Sequence, residues 1–140
     1  PHDAHEPLQF VIQSAEGRRL GILSDLGSLT PHVVNSYRDC HALQVEANHD
    51  PVMLANGPYP PSLRARVAGA YGHLSNEQCA DFIRRVKWPG LKHVSAGHIS
   101  EKNNDRNLVA QVLAEAIGCS PQDVPLLSQD EMSDWVALND

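Results

Sequence analysis

In Ala42-Leu43-Gln44-Val45-Glu46-Ala47-Asn48-His49-Asp50, a strand pattern runs straight into a cluster of chemically active side chains. Leu43 and Val45 fall on one side and Gln44 and Glu46 on the other, the period of a strand over residues 42–47. Moving outward in either direction, the same arrangement recurs. Residues 9–15 alternate around Phe10 and Ile12, meet Glu16-Gly17, and resume at 19–23 before Ser24-Asp25-Leu26-Gly27. That pattern predicts a hairpin whose second strand ends beside Asp25. Residues 91–99 read as a further strand with His98 near its end.

Helical spacing fills the intervals. Pro61-Ser62 opens a helix expected to bury Leu63, Val67 and Ala70, with Pro where its missing N–H costs little. Ser75 and Gln78 have capping-box spacing, and Cys79, Phe82, Ile83 and Val86 follow on one helical face until Trp88-Pro89-Gly90. Asn104 or Asp105 caps a last helix with Leu108, Val109, Val112, Leu113, Ala116 and Ile117 inside and Gly118 at its end. Residues 124–138 read as a closing hairpin around 130–133. Strands alternating with helices predict an α/β layered domain, whose ligand sites gather at the carboxyl ends of its strands.

At 140 residues the chain amounts to one domain, and its apolar and charged fractions, 41% and 20%, exclude disordered and fibrous classes. No apolar run approaches the roughly 20 residues that span a bilayer, so no membrane partner is expected. Cys40, Cys79 and Cys119 are odd in number and form no C-x-x-C pair, which argues for free thiols in a reducing, cytoplasmic setting. A formal charge of −6 argues against charge-driven, non-specific nucleic-acid binding, though not against a local phosphate site. Arg64, Arg66, Arg84, Arg85, Lys87 and Lys92 concentrate six of the 11 basic residues in a short stretch that reads mainly as a solvated helix face.

Four segments could carry chemistry: His2-Asp3-Ala4, Ser24-Asp25-Leu26-Gly27, Gly72-His73-Leu74-Ser75-Asn76, and His98-Ile99-Ser100-Glu101-Lys102-Asn103-Asn104. Imidazoles and carboxylates are the ligands that zinc and manganese favour, and one carboxylate can bridge two ions. No single segment is a strong signal. His5, His32, His41 and His93 read as structural hydrogen-bonders.

Taken in order with Val45 to Asp50, Tyr59-Pro60 and the 63–66 stretch, these segments resemble the YycJ-like branch of the metallo-β-lactamase superfamily, related to ribonuclease Z and ribonuclease J. The resemblance implies half of a four-layer αββα sandwich, with residues 1–140 as the C-terminal half of a hydrolase domain. It implies two divalent ions, zinc or manganese, with His2, Asp25 and His98 as ligands. It implies Glu46 and His73 as an acid–base pair, with His73 protonating the leaving alkoxide. Arg66 becomes the candidate for a substrate phosphate, and His49 and Asp50 for support of the metal ligands, with helix capping as the alternative for Asp50.

The departure from the family is the absence of its His-x-His-x-Asp-His motif, since His2-Asp3-Ala4-His5 has neither its order nor its position. The start at Pro1 reads as a chain cut from something longer, or as an expression scar, and a chain without that motif is expected to be inactive alone. Its inner sheet face would then need a cover, either the N-terminal half or a second copy. The expected activity is a metal-dependent phosphodiesterase acting on nucleic acid. The alternatives are the same fold hydrolysing a thioester, lactone or β-lactam, and a metal-free interaction module.

Overall fold

A computed structural model describes residues 8–138. The chain is α/β, built on a four-stranded mixed sheet whose spatial order follows chain order. Strands β1 (Phe10–Gln13) and β2 (Arg19–Leu23) form the expected antiparallel hairpin, pairing Phe10 with Ile22 and Gln13 with Arg19. β3 (Ala42–Glu46) lies parallel to β2, and β4 (His93–Gly97) lies parallel to β3, pairing Glu46 with Gly97. β4 is shorter than residues 91–99 suggested, because Leu91 turns back onto Trp88 O and His98 leaves the extended region at φ 53°.

One face of this sheet carries Gly21, Leu23, Leu43, Val45, Val94 and Ala96, all buried. Against it pack α4 (Asn76–Val86) and α5 (Arg106–Ile117), which bring Cys79, Phe82, Ile83, Val86, Val109 and Leu113 into one core. Both helices begin as their sequences require. Ser75 and Gln78 close a complete capping box on α4, and Asp105 caps α5, which ends at left-handed Gly118. Leu108, expected inside, is 37% exposed. Tyr37 ties the hairpin to this core: its hydroxyl donates to Ile22 O at 2.6 Å and its ring meets Phe82 edge-on.

Two short helices fill the connections: α1 (Pro31–Ser36), which the sequence reading does not include, and α2 (Pro51–Asn56), which realises the capping alternative for Asp50. Each is started by an N-cap residue followed by Pro, Thr30-Pro31 and Asp50-Pro51. α3 (Pro61–Val67) forms where expected but buries none of its residues: Leu63 and Ala70 are exposed and Val67 half-buried. At seven residues it lies at the rim rather than across the core. The closing hairpin does not form. Beyond a 3₁₀ turn (Pro121–Asp123), the chain lies along the outer edge of β4, with Ala96 N donating to Pro125 O and Leu127 N to Ala96 O. Met132 and Trp135 are fully exposed.

The opposite face of the sheet carries Phe10, Ile12, Leu20 and Ile22 on the hairpin and Gln44, His93 and Ser95 on the parallel strands, none of them buried, while Ala42 and Glu46 on the same face are. No described helix is long and apolar enough to cross a membrane.

Candidate functional site

Three parallel strands end on the same rim, and chemistry collects there because each is followed by a titratable side chain. Glu46 is the last residue of β3. Its alternation places it with Gln44, as expected, yet Gln44 is exposed and Glu46 has no exposed surface. The loops after β2 and β4 and the loop before α4 fold over the strand end and enclose it. A carboxylate taken out of water must be met by donors. Glu46 meets three: His73 Nδ1 at 2.6 Å and His98 Nδ1 at 2.8 Å both donate to Oε1, and Leu26 N–H donates to Oε2 at 3.0 Å. Burial alone would push its carboxyl up, but these hydrogen bonds together hold it below the usual carboxylate range. The bond to Glu46 in turn raises His98, against the opposing effect of burial.

Asp25 completes the group. Its Oδ1 lies 3.7 Å from each of the two Nδ1 atoms, and one ligand atom from each of Asp25, Glu46, His73 and His98 falls within 4.8 Å of the others. The two imidazoles meet edge to face, centroids 4.9 Å apart. Because a carboxylate can only accept, each ring must carry its proton on Nδ1 when neutral, so Nε2 is the nitrogen that does any chemistry in the cleft. Asp25 and His98 both sit at positive φ, 54° and 53°, a conformation uncommon outside glycine that turns the chain sharply off the strand end.

Glycines let the loops come together. A Cβ on Gly27 would fall on the backbone of Ala70 and Gly72, so the loop carrying Asp25 lies directly on the one that presents His73. Gly27→Ala is expected to cost about 1–3 kcal/mol through overpacking, read as a lowered melting temperature. A variant as stable as the unchanged protein would show that this contact gives way without cost.

His73 and His98 look into an open cleft of about 930 Å³. Along it lie Tyr59, Ser100, Lys102, Arg106 and Gln129. Lys102 is a cation in this cleft, four residues beyond His98, to which the 98–104 segment by itself assigns no role. Arg106 spends its guanidinium on Leu126 O and Leu127 O, pinning the edge segment beside the site. Arg66 is exposed on α3 and is not among the residues that line the cleft.

His49 is 3% exposed, joined to the next loop by its bridge to Ser75, and held below its usual pKa by burial and by His73. Asp50 accepts from Met53 N at 2.8 Å, which is the capping role. His41 behaves as a structural residue, accepting from Arg19 N and stacking edge-on with Trp88. His2 and His5 lie outside the described residues.

Comparison with known proteins places this rim in context. The chain is 33% identical over 118 residues to a protein named exodeoxyribonuclease YycJ from Bacillus anthracis, a match covering 81% of this chain and 44% of that protein. It is 29% identical over 116 residues to exodeoxyribonuclease WalJ of Streptococcus pneumoniae, covering 83% of this chain and 43% of the other. The chain therefore spans less than half the length of the curated relatives it matches. No family model matches, and no solved structure matches.

Proposed function

We propose that this YycJ-like chain is the C-terminal half of a metallo-β-lactamase-fold hydrolase that cleaves phosphodiester bonds in DNA with the help of divalent metal ions. One observation carries the reading: a single buried carboxylate oxygen, Glu46 Oε1, orients both His73 and His98 through their Nδ1 atoms. An imidazole that donates its other N–H to a carboxylate is the usual state of a metal-ligating histidine, because the bond fixes tautomer and ring and makes Nε2 more basic. The donor chemistry present fits a divalent cation. His98 through Nε2 and Asp25 through its carboxylate, with His2 from the N-terminus, would hold a pair of zinc or manganese ions. Glu46, its oxygens already engaged by three N–H groups, orients the rings and is not a ligand. When bound, such ions supply a hydroxide nucleophile and neutralise charge developing on the phosphate.

The remaining chemistry falls to the chain itself. His73 reaches the cleft with a ring held by Glu46, and in its protonated form it donates to the departing alkoxide. A DNA 3′ or 5′ oxygen is a poor leaving group, so a general acid is worth having; an activated lactam nitrogen needs one less. Lys102, on the cleft wall, is positioned to meet a phosphate, and with Arg66 outside the cleft it is the better candidate for that contact. The names of the relatives favour DNA over RNA as substrate. The open face bearing Phe10, Ile12, Leu20 and Ile22 would be covered by the portion of such a protein that lies beyond the match, or by a second copy.

The decisive experiment incubates the protein, joined to the rest of its reading frame, with end-labelled DNA, RNA, bis-p-nitrophenyl phosphate and a cephalosporin in zinc or manganese. DNA hydrolysis lost on chelation is the expected result; lactam hydrolysis alone, or metal-independent binding without hydrolysis, overturns it. A second expectation concerns residues 1–140 alone. With few ligands for two ions, dialysed protein should retain less than one ion per chain by elemental analysis. Two tightly held ions would contradict the ligand assignment.

A further inference from the structure

Behind the reacting groups, the loops that carry His73 and His98 are fastened to each other. Residues 47–49 extend β3 past Glu46 and run between those loops. On one side Asn48 N donates to Leu74 O at 3.0 Å and Asn76 N to His49 O at 3.0 Å. On the other, Ala47 N donates to Gly97 O at 3.2 Å and Ser100 N to Asn48 O at 2.8 Å, while Asn48 Nδ2 holds His98 O at 3.0 Å. One further link crosses directly. Asn76 and Asn104, 28 residues apart, form a reciprocal amide pair, each Nδ2 donating to the other's Oδ1 at 2.8 Å. Both are buried, at 1% and 7% exposure. Asn104 Nδ2 also donates to Ala47 O at 3.0 Å, and its Oδ1 accepts from Asp105 N at 3.0 Å, so one side chain touches the end of β3, the start of α5 and the start of α4.

We propose that Asn76 and Asn104 are positioning residues whose amide pair holds His73 and His98 on the shared oxygen of Glu46. The inference rests on reading that trio as the reacting centre. Neither asparagine lines the cleft. Asn76 stands three residues after His73 and opens α4, and Asn104 stands six after His98, so a shift between the amides becomes a shift between the rings. The pairing needs amides on both sides. An amide donates and accepts at once; a carboxylate there sets acceptor against acceptor, and an aliphatic side chain strands its partner in a dry site.

Two variants test this, Asn104→Leu and Asn76→Asp. The second keeps the side-chain volume and places its charge at the first position of α4, where the helix terminus offsets part of the cost of burial. The readout is the pair of downfield Nδ1–H signals of His73 and His98 in ¹H–¹⁵N spectra of chelator-treated protein at low temperature, with the methyl signals of Ile83 and Leu113 reporting the core. The unchanged protein should show both imidazole signals. Either variant should lose or shift both while the core signals stay in place, and in the protein joined to the rest of its reading frame kcat should fall by about 10- to 100-fold with little change in KM, as for a displaced catalytic group. Imidazole signals that persist in a folded variant overturn the proposal. So does their loss only together with the core signals in both variants, since that marks a purely structural role. Because the imidazole readout needs no turnover, an inactive protein whose variants lose the signals would refute the proposed function and leave the positioning role standing.

Discussion

Glu46→Ala is expected to reduce DNA hydrolysis by at least about 10²–10⁴-fold, the range for loss of a general acid, and to weaken metal binding by about 10–100-fold, the range for removing a carboxylate behind a ligating histidine. Both effects trace to one atom, because Oε1 accepts from His73 and His98 together. Glu46→Gln should not rescue much: its amide could accept from the rings only by turning its NH₂ toward Leu26 N–H, donor against donor. The trio also gives stability a pH dependence. Glu46, held below the ordinary carboxylate range, contributes above about pH 4.3 and loses that contribution as pH falls through its lower folded value. His98, raised by the same bond, contributes below about pH 6.5 and loses it as pH rises through its higher folded value. In chelator, the melting temperature should therefore carry a maximum between these limits that Glu46→Ala flattens. Full activity in Glu46→Ala, or an unaltered melting profile, would remove Glu46 from the centre of the site.

His73→Ala separates proton donation from metal binding. Turnover on DNA should fall by about 10²–10⁴-fold with metal content unchanged, since His98 and Asp25 keep their places through Glu46 and the turns at positive φ. The loss should shrink on bis-p-nitrophenyl phosphate, because p-nitrophenolate leaves without a proton. Equal loss on both substrates, or release of the metal, would make His73 a ligand or a structural residue.

The sheet, the two long helices and the chemistry at the strand ends were legible in the sequence for local reasons. Alternation through Leu43 and Val45, the Ser75–Gln78 box and the Asp105 and Gly118 caps are each written within a few residues. The errors came where tertiary placement decides. The apolar spacing of Leu63 and Val67 promises a buried face, but α3 lies at the rim and buries neither. Residues 124–127 take the free edge of β4 instead of pairing with residues 134–138 in a hairpin, an option invisible to local turn signals. Glu46 was placed on the correct side of its strand, but its enclosure depends on three loops distant in sequence. Lys102 falls inside the 98–104 segment, but a lysine in a polar loop carries no spacing signal that would give it a role; the cleft does.

Strand order identical to chain order also has a consequence for biosynthesis. As a polypeptide emerges N-terminus first, each new strand finds its neighbour already made, which keeps sheet growth sequential and closures short. Glu46 leaves the ribosome 27 residues ahead of His73 and 52 ahead of His98. Until His73 follows, the Leu26 amide is the one donor among its three that has been made. A nascent chain that stalls before β4 therefore holds most of the sheet while the second imidazole on Glu46, that of His98, is still missing.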